Sequence, residues 1–142
     1  MVSGRFVPSG REQMEPQARI PSRRFPPTPE TVTAVQRMVA GHLADLPAPC
    51  RDAAVWIASE LASNAVHHAA TPYVVELLVG ETVRIEVTDL APLAAFLRVV
   101  PPEPERGRGL LLVSELAARW GVDWRDDFKV VWAEVPRGGP VE

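Results

Sequence analysis

The stretch ELASNAVHHA, residues 60–69, decides the fold of this chain. It closes a segment from about Cys50 to Ala69 whose apolar residues recur at helical spacing, so we predict a helix there. Because successive helical residues step by about 100° around the axis, Glu60, Asn64 and His68 fall in one polar stripe. The apolar residues fall on the other side, so this helix is expected to bury one face and present the stripe.

The polar stripe has two interpretations. The simpler one is the solvated face of an ordinary amphipathic helix. Two details favour a binding site: Asn64, the only asparagine in the chain, is a mediocre helix former, and no Lys or Arg lies three or four residues from Glu60. A magnesium–nucleotide site would use the Asn64 amide oxygen as a ligand and Glu60 to orient or deprotonate a hydroxyl or water. His68 would help to place phosphate, or is an exposed histidine at the helix end.

The rest of the chain alternates between strand and helix patterns. Residues 1–20 lack periodicity and predict a disordered tail, and residues 21–142 predict one domain. The order of elements predicts an α+β fold, a two-layer sandwich with helices on one face of a mixed, mostly antiparallel sheet. The expected elements are a strand over 20–25, helices over about 28–44 and 50–69, a hairpin of strands 74–79 and 83–89, a loop over 90–107, a helix over 109–120 stopped by Gly121, and a hairpin of strands 122–125 and 129–135.

A turn rich in glycine and arginine runs directly into the helix expected at 109–120. Glycines let the backbone approach an anion closely, and a helix start offers free amide groups to phosphate. The turn therefore predicts a phosphate-binding loop, although such turns are common and the glycine spacing matches neither a P-loop nor a dinucleotide fingerprint. Its residues are Arg106, Gly107, Arg108, Gly109 and Leu110.

Asp89 ends the second strand of the first expected hairpin. A carboxylate at a buried strand end needs a hydrogen-bond donor. The exocyclic amine of adenine is one such donor, and a helix-cap or turn role for Asp89 is the alternative.

Composition limits the function classes. The net charge of −3 disfavours direct nucleic-acid binding. No stretch approaches the roughly 20 apolar residues that cross a bilayer, and the polar start is unlike a secretion signal. Cys50 is the sole cysteine, which is compatible with a reducing compartment and a place at a helix start. We therefore expect a cytoplasmic protein with no membrane partner.

Taken in order, these segments resemble the histidine-kinase-like ATPases, and most of all their bacterial anti-sigma-factor serine/threonine kinase branch. Residues 60–69 resemble the N box of that family, and Asp89 resembles its adenine-binding aspartate. Residues 107–122 are similar to the second glycine box of the branch, and residues 129–135 to its closing strand. The resemblance runs from about residue 22 to residue 135, nearly the whole chain.

The resemblance implies a Bergerat-type ATP-binding fold in which the loop after Asp89 forms a mobile lid. By motif position, Asn64 is implied to bind magnesium and Asp89 to read adenine. Gly107 and Gly109 are implied to approach the phosphates of ATP, and Glu60 to act as the general base. The implied reaction transfers the γ-phosphate of ATP to a serine of an anti-anti-sigma partner of the STAS type. The implied second role is to sequester a sigma factor as a homodimer.

One short segment and two single residues depart from the family pattern. Leu90-Ala91-Pro92 follows Asp89 where glycines are usual, Phe128 stands where a glycine is expected, and Val130 stands where relatives often carry a threonine. These departures favour an alternative function, a non-catalytic ATP-binding or protein-binding module with a degenerate nucleotide site. The ATPase half of a two-component sensor is disfavoured, because no separate phospho-accepting helix is visible.

Overall fold

The computed structural model describes residues 5–6, 18–90 and 112–140. All the elements that the sequence predicts between residues 20 and 90 are present, with ends shifted by at most two residues, apart from the second helix, whose α-helical part ends at Asn64. The strands are β1 (Arg5–Phe6), β2 (Ala18–Phe25), β3 (Tyr73–Val79), β4 (Thr82–Asp89), β5 (Arg119–Trp124) and β6 (Lys129–Pro136), and the helices are α1 (Glu30–His42), α2 (Ala48–Asn64) and α3 (residues 112–116). α2 continues directly into a π-helical turn, Ala65–Ala69.

The strands of the described residues form one sheet in the order β1-β5-β6-β4-β3-β2. Neighbouring strands run antiparallel, apart from the short parallel pair β1 and β5. Two hairpins supply the centre of the sheet: β3 and β4 join across Gly80 and Glu81, and β5 and β6 join across residues 125–128. The prediction of a mixed, mostly antiparallel sheet is confirmed.

The core lies between one face of this sheet and the helices. Side chains alternate between the two faces along a strand, so one set of alternate residues in β3, β4 and β6 points to the helices. Those residues form a single cluster with the buried sides of α1 and α2. The cluster includes Val35, Val39, Ile57, Leu61, Val75, Leu77, Ile85, Val87, Val131 and Ala133. The predicted two-layer sandwich, with helices on one face, is therefore confirmed.

The opposite face of the sheet carries a buried ionic cluster. Arg84, fully buried, lies 3.0 Å from Glu86 and 3.1 Å from Glu134 through its guanidinium nitrogens. Arg119 also reaches Glu134, at 3.0 Å, and the Arg84 guanidinium stacks 4.2 Å from the centre of the Trp132 ring. Burial lowers the pKa of Arg84, and the two carboxylates oppose that shift.

The region after α3 differs from the prediction. A helix was expected to continue to residue 120 and to stop at Gly121, but helical structure ends at residue 116 and Gly121 lies inside β5, opposite Trp132. The reason is that the Ala118 amide donates a 2.8 Å hydrogen bond to the Glu134 carbonyl. With this bond the chain begins to pair with β6 as a strand. Pairing with β6 then outweighs the helical spacing read from the sequence.

The amino-terminal prediction also differs in detail. β2 begins at Ala18, inside the segment expected to be a disordered tail, and Arg5–Phe6 pairs with the start of β5. Apart from Leu90, the expected loop over 90–107 lies outside the described residues, as does the expected phosphate loop over 106–110. Among the helices that the structure describes, none is long and apolar enough to cross a membrane.

Candidate functional site

The polar stripe of α2 lies at the carboxyl end of that helix. Asn64 is its last α-helical residue, and Glu60 lies one turn before it. Both side chains are partly exposed. Among the described residues neither the Glu60 carboxylate nor the Asn64 amide makes a hydrogen bond or ion pair. This arrangement agrees with the sequence argument that Glu60 lacks a basic neighbour.

The π-helical turn changes the end of the stripe. The Ala70 amide donates to the Ala65 carbonyl at 2.9 Å, a bond that spans five residues instead of four. Because the turn holds one residue more than an α-helical turn, the spacing that aligned His68 with Asn64 no longer applies. His68 is exposed on this turn. π-helical turns of this kind often occur at functional sites.

Asp89 is the last residue of β4 and is only 2% exposed. It stands opposite Tyr73 in β3 and opposite Lys129 in β6. The Lys129 ammonium lies 3.3 Å from Oδ2 of Asp89. The expectation that this buried strand-end carboxylate needs a donor is therefore met within the sheet, by Lys129.

The end of α2 and the end of β4 meet. Thr71, just beyond the π-helical turn, accepts a 3.0 Å hydrogen bond at Oγ1 from the amide of Leu90, the residue after Asp89. Tyr73, opposite Asp89, shares a 2.6 Å hydrogen bond with the Thr31 hydroxyl of α1. The first contact joins the chain just after the π-helical turn to the chain just after Asp89, and the second joins α1 to the strand residue opposite Asp89.

The predicted phosphate loop, residues 106–110, lies outside the described residues, so its position is not part of this geometry. The helix that was expected to follow it is present as α3. Val113 and Ala117 belong to the buried core, which fixes α3 on the helical side of the sheet.

Sequence reasoning missed Lys129 as a site residue and compared Val130 with a threonine of the family instead. The register places Val130 opposite Thr88 on the other face of the sheet, where it is 1% exposed. Lys129 stands beside Asp89. The signal that could have found it is the hairpin register, because the residues opposite each other in two paired strands share a face.

The residues present fit a magnesium ion held mainly by phosphate. Magnesium prefers hard oxygen ligands and often needs only one or two from the protein. The Asn64 amide oxygen can supply one. Among the described residues no cluster of three or more His, Cys, Asp or Glu side chains forms a metal site by itself.

The fold is a two-layer α/β sandwich in which the chain just after the end of α2 is hydrogen-bonded to the chain just after the end of β4. The sequence model of the histidine kinase-like ATPase domain matches residues 25–134, and the chain belongs to that family. The resemblance stated from the sequence is confirmed at this level. An ATPase domain binds ATP, so membership assigns ATP to this chain as its nucleotide.

The chain is also similar in structure to the RsbU and RsbW domains of Rv1364c from Mycobacterium tuberculosis, known from a crystal structure. The TM-score is 0.53 and the sequence identity 16%, which supports the fold. The match covers 81% of this chain and 32% of that chain, so this chain spans about a third of the length of the chain that it matches. The comparison with curated proteins gave no match.

Proposed function

We propose that this protein is an anti-sigma-factor-type regulator that transfers the γ-phosphoryl group of ATP to a serine of an anti-anti-sigma partner and sequesters a sigma factor. The observation that carries the proposal is the 3.0 Å hydrogen bond from the Leu90 amide to Thr71, which joins the chain just after Asp89 to the chain just after the helix end that carries Glu60 and Asn64. Family membership and the RsbW-containing structural neighbour support it.

In this proposal each described side chain has one task. Asp89 accepts a hydrogen bond from the exocyclic amine of adenine, and Asn64 lies near the phosphates. Glu60 accepts the proton of the partner's serine hydroxyl as its oxygen attacks the γ-phosphorus. One O–P bond forms, the bond from the γ-phosphorus to the bridging oxygen breaks, and ADP leaves.

The proposal assigns two further groups to phosphate binding. Asn64 would hold magnesium, which neutralises charge on the phosphates when bound. Arg106, Gly107, Arg108, Gly109 and Leu110 would form the phosphate loop, with His68 as a further donor. A glycine-rich helix start and arginine side chains suit an anion.

Two substitutions in α2 test the kinase proposal. Asn64→Ala is expected to weaken magnesium-dependent ATP binding in calorimetry. Glu60→Gln is expected to preserve ATP binding. It is expected to lower the rate of phosphate transfer to a cognate anti-anti-sigma protein by roughly 100- to 10,000-fold, which is the usual contribution of a general base to the rate.

The matched control is Asp52→Asn, which removes one carboxylate from an exposed position of the same helix. It is expected to leave binding and transfer unchanged. If wild-type protein binds ATP but transfers no phosphate to any cognate partner, the kinase proposal is rejected.

A second candidate, a non-catalytic module whose bound ATP only shapes a partner-binding surface, is favoured by one observation. Phe128 and Val130 stand where a glycine and a threonine are expected on the adenine side of the family's site. This candidate predicts that Glu60→Gln and wild type bind ATP and partner equally, with no transfer by either. Loss of transfer on Glu60→Gln would exclude it.

A further inference from the structure

A row of five side chains crosses one end of the sheet on its helix-facing side. The register pairs Phe25 with Tyr73, Tyr73 with Asp89, Asp89 with Lys129, and Lys129 with Trp124. Since residues opposite each other in paired strands share a face, all five point toward the helices, as do the core residues Val87 and Val131, which lie two residues from Asp89 and Lys129 in their strands. The row has aromatic rings at both ends and one acid–base pair in the middle.

Lys129 contacts both of its neighbours in this row, Asp89 and Trp124. Its ammonium lies 3.3 Å from Asp89 and 5.4 Å from the centre of the Trp124 ring. The side chain is 15% exposed and that of Asp89 3% exposed. Lys129 is the only lysine in the chain, and the final hairpin places it here by its register. The ammonium is thus positioned at the strand end where α2 and β4 meet.

The pair presents a hydrogen-bond donor next to an acceptor. The ammonium carries three N–H donors, and each oxygen of a carboxylate can accept more than one hydrogen bond. Adenine offers the complementary pattern, because its exocyclic amine donates and the ring nitrogens N1 and N7 flanking that amine accept.

We propose that Lys129 is a base-contacting residue whose ammonium donates to a ring nitrogen beside the exocyclic amine of adenine, while Asp89 accepts from that amine. The inference rests on the proposed function, since it requires ATP to bind at this end of the sheet. It gives Lys129 a role opposite to that of a simple counter-ion. A lysine that only neutralised Asp89 would have to be displaced by the nucleotide, and its removal would strengthen binding.

The first test changes the ligand and leaves the protein intact. Wild type is titrated calorimetrically, in magnesium, with ATP, 1-deaza-ATP and 7-deaza-ATP, all of which keep the exocyclic amine. One of the two analogues is expected to bind roughly 10- to 100-fold more weakly than ATP, the size of a lost hydrogen bond to a charged group. If both analogues bind as tightly as ATP, Lys129 does not contact the base and the proposal is wrong.

The second test removes the ammonium. Lys129→Met is expected to bind ATP more weakly by the same factor and to bind ATP and the two analogues equally. Equal or tighter ATP binding by Lys129→Met would overturn the proposal and support the counter-ion role. Thermal unfolding is measured in parallel, because the substitution takes a partner from a buried carboxylate. The ligand titrations on wild type do not depend on how this variant folds.

The matched control is Arg125→Met, on the same hairpin. It removes one positive charge from a side chain that is 50% exposed and is paired at 3.7 Å with Asp123. It therefore reports any general loss of attraction for the ATP anion, and it is expected to preserve the preference for ATP over the sensitive analogue.

Failure of this inference can be told apart from failure of the proposed function. If wild type binds no ATP, or if Asn64→Ala has no effect on binding, both fail. If binding depends on Asn64 and neither analogue is discriminated, only the role of Lys129 fails.

Discussion

Gly139 packs against the first turn of α2 more closely than any side chain would allow. Its φ is +106°, and a Cβ built on it would lie 2.6 Å from the Cβ of Pro49. We expect Gly139→Ala to lower the free energy of unfolding by about 2–4 kcal/mol, because it adds backbone strain to a steric overlap. Urea unfolding would measure the change.

The control is the neighbouring glycine. A Cβ on Gly138 would meet nothing within 4 Å, so Gly138→Ala is expected to stay within about 0.5 kcal/mol of wild type. Equal losses for the two variants would show that the contact with Pro49 does not carry the effect.

At the scale of single residues, the sequence predicted what depends on local spacing. Glu60 and Asn64 lie on one exposed helical stripe because α-helical geometry alone determines that relation. The ion pair between Asp89 and Lys129 depends instead on the register of β4 against β6, residues 40 positions apart in the chain. Register between strands that lie far apart in the chain cannot be read from local spacing, and a shift of one residue would exchange the two faces of the strand.

At the scale of elements, α2 ends in an unusual conformation. Ala70 closes the π-helical turn with φ 53° and ψ 34°, a left-handed conformation that costs a non-glycine residue about 1–2 kcal/mol. We expect Ala70→Gly to raise the free energy of unfolding by about 0.5–1 kcal/mol, the relieved strain less the added entropy of the unfolded chain.

Ala69→Gly is the matched variant one residue earlier, inside the turn. Glycine has no strain to relieve there and is expected to lower the free energy of unfolding by about 0.5–1 kcal/mol. Opposite signs for the two variants, measured by urea unfolding, would support the left-handed cap. A lower free energy of unfolding in both variants would contradict the left-handed conformation of Ala70.

Element boundaries were predictable where a proline or a turn marks them, as at both ends of α1 and at Gly80 between β3 and β4. The stretch from α3 into β5 was not. Residues 112–120 have helical spacing, yet the chain leaves the helix after residue 116 to pair with β6. That pairing is a contact between distant segments, and local propensity does not encode it.

At the scale of the whole molecule, the two-layer arrangement could be predicted from the order of the elements. The burial of the sheet face that points away from the helices could not. The alternation Val83-Arg84-Ile85-Glu86-Val87 is typical of a strand with one face in water. Arg84 and Glu86 are nevertheless buried, at 0% and 3% exposure, and Arg84 forms ion pairs with both Glu86 and Glu134. A polar pattern in a strand therefore shows which residues share a face, whereas burial of that face depends on the complete fold.

The alkaline limit of stability also belongs to the whole molecule, because it involves both layers. Burial raises the pKa of the Cys50 thiol in α2 and of the Tyr73 phenol in β3 above their ordinary values. Each group is held neutral in the folded state and ionises more readily in the unfolded state. The stability they contribute is thus fully present below their ordinary pKa values, about 8.5 and 10, and is lost as pH rises through the raised folded values.

We therefore expect the midpoint of urea unfolding to be insensitive to both groups near pH 7 and to fall from about pH 8.5 upward. Cys50→Ala should remove the earlier part of that fall and Tyr73→Phe the later part, whatever each substitution does to stability at pH 7. Because the chain has one cysteine and one tyrosine, tyrosinate absorbance and thiolate absorbance report each group separately. Tyrosinate that forms near pH 10 in protein still folded by circular dichroism would contradict the buried, neutral state of Tyr73 and with it the packed row at this end of the sheet.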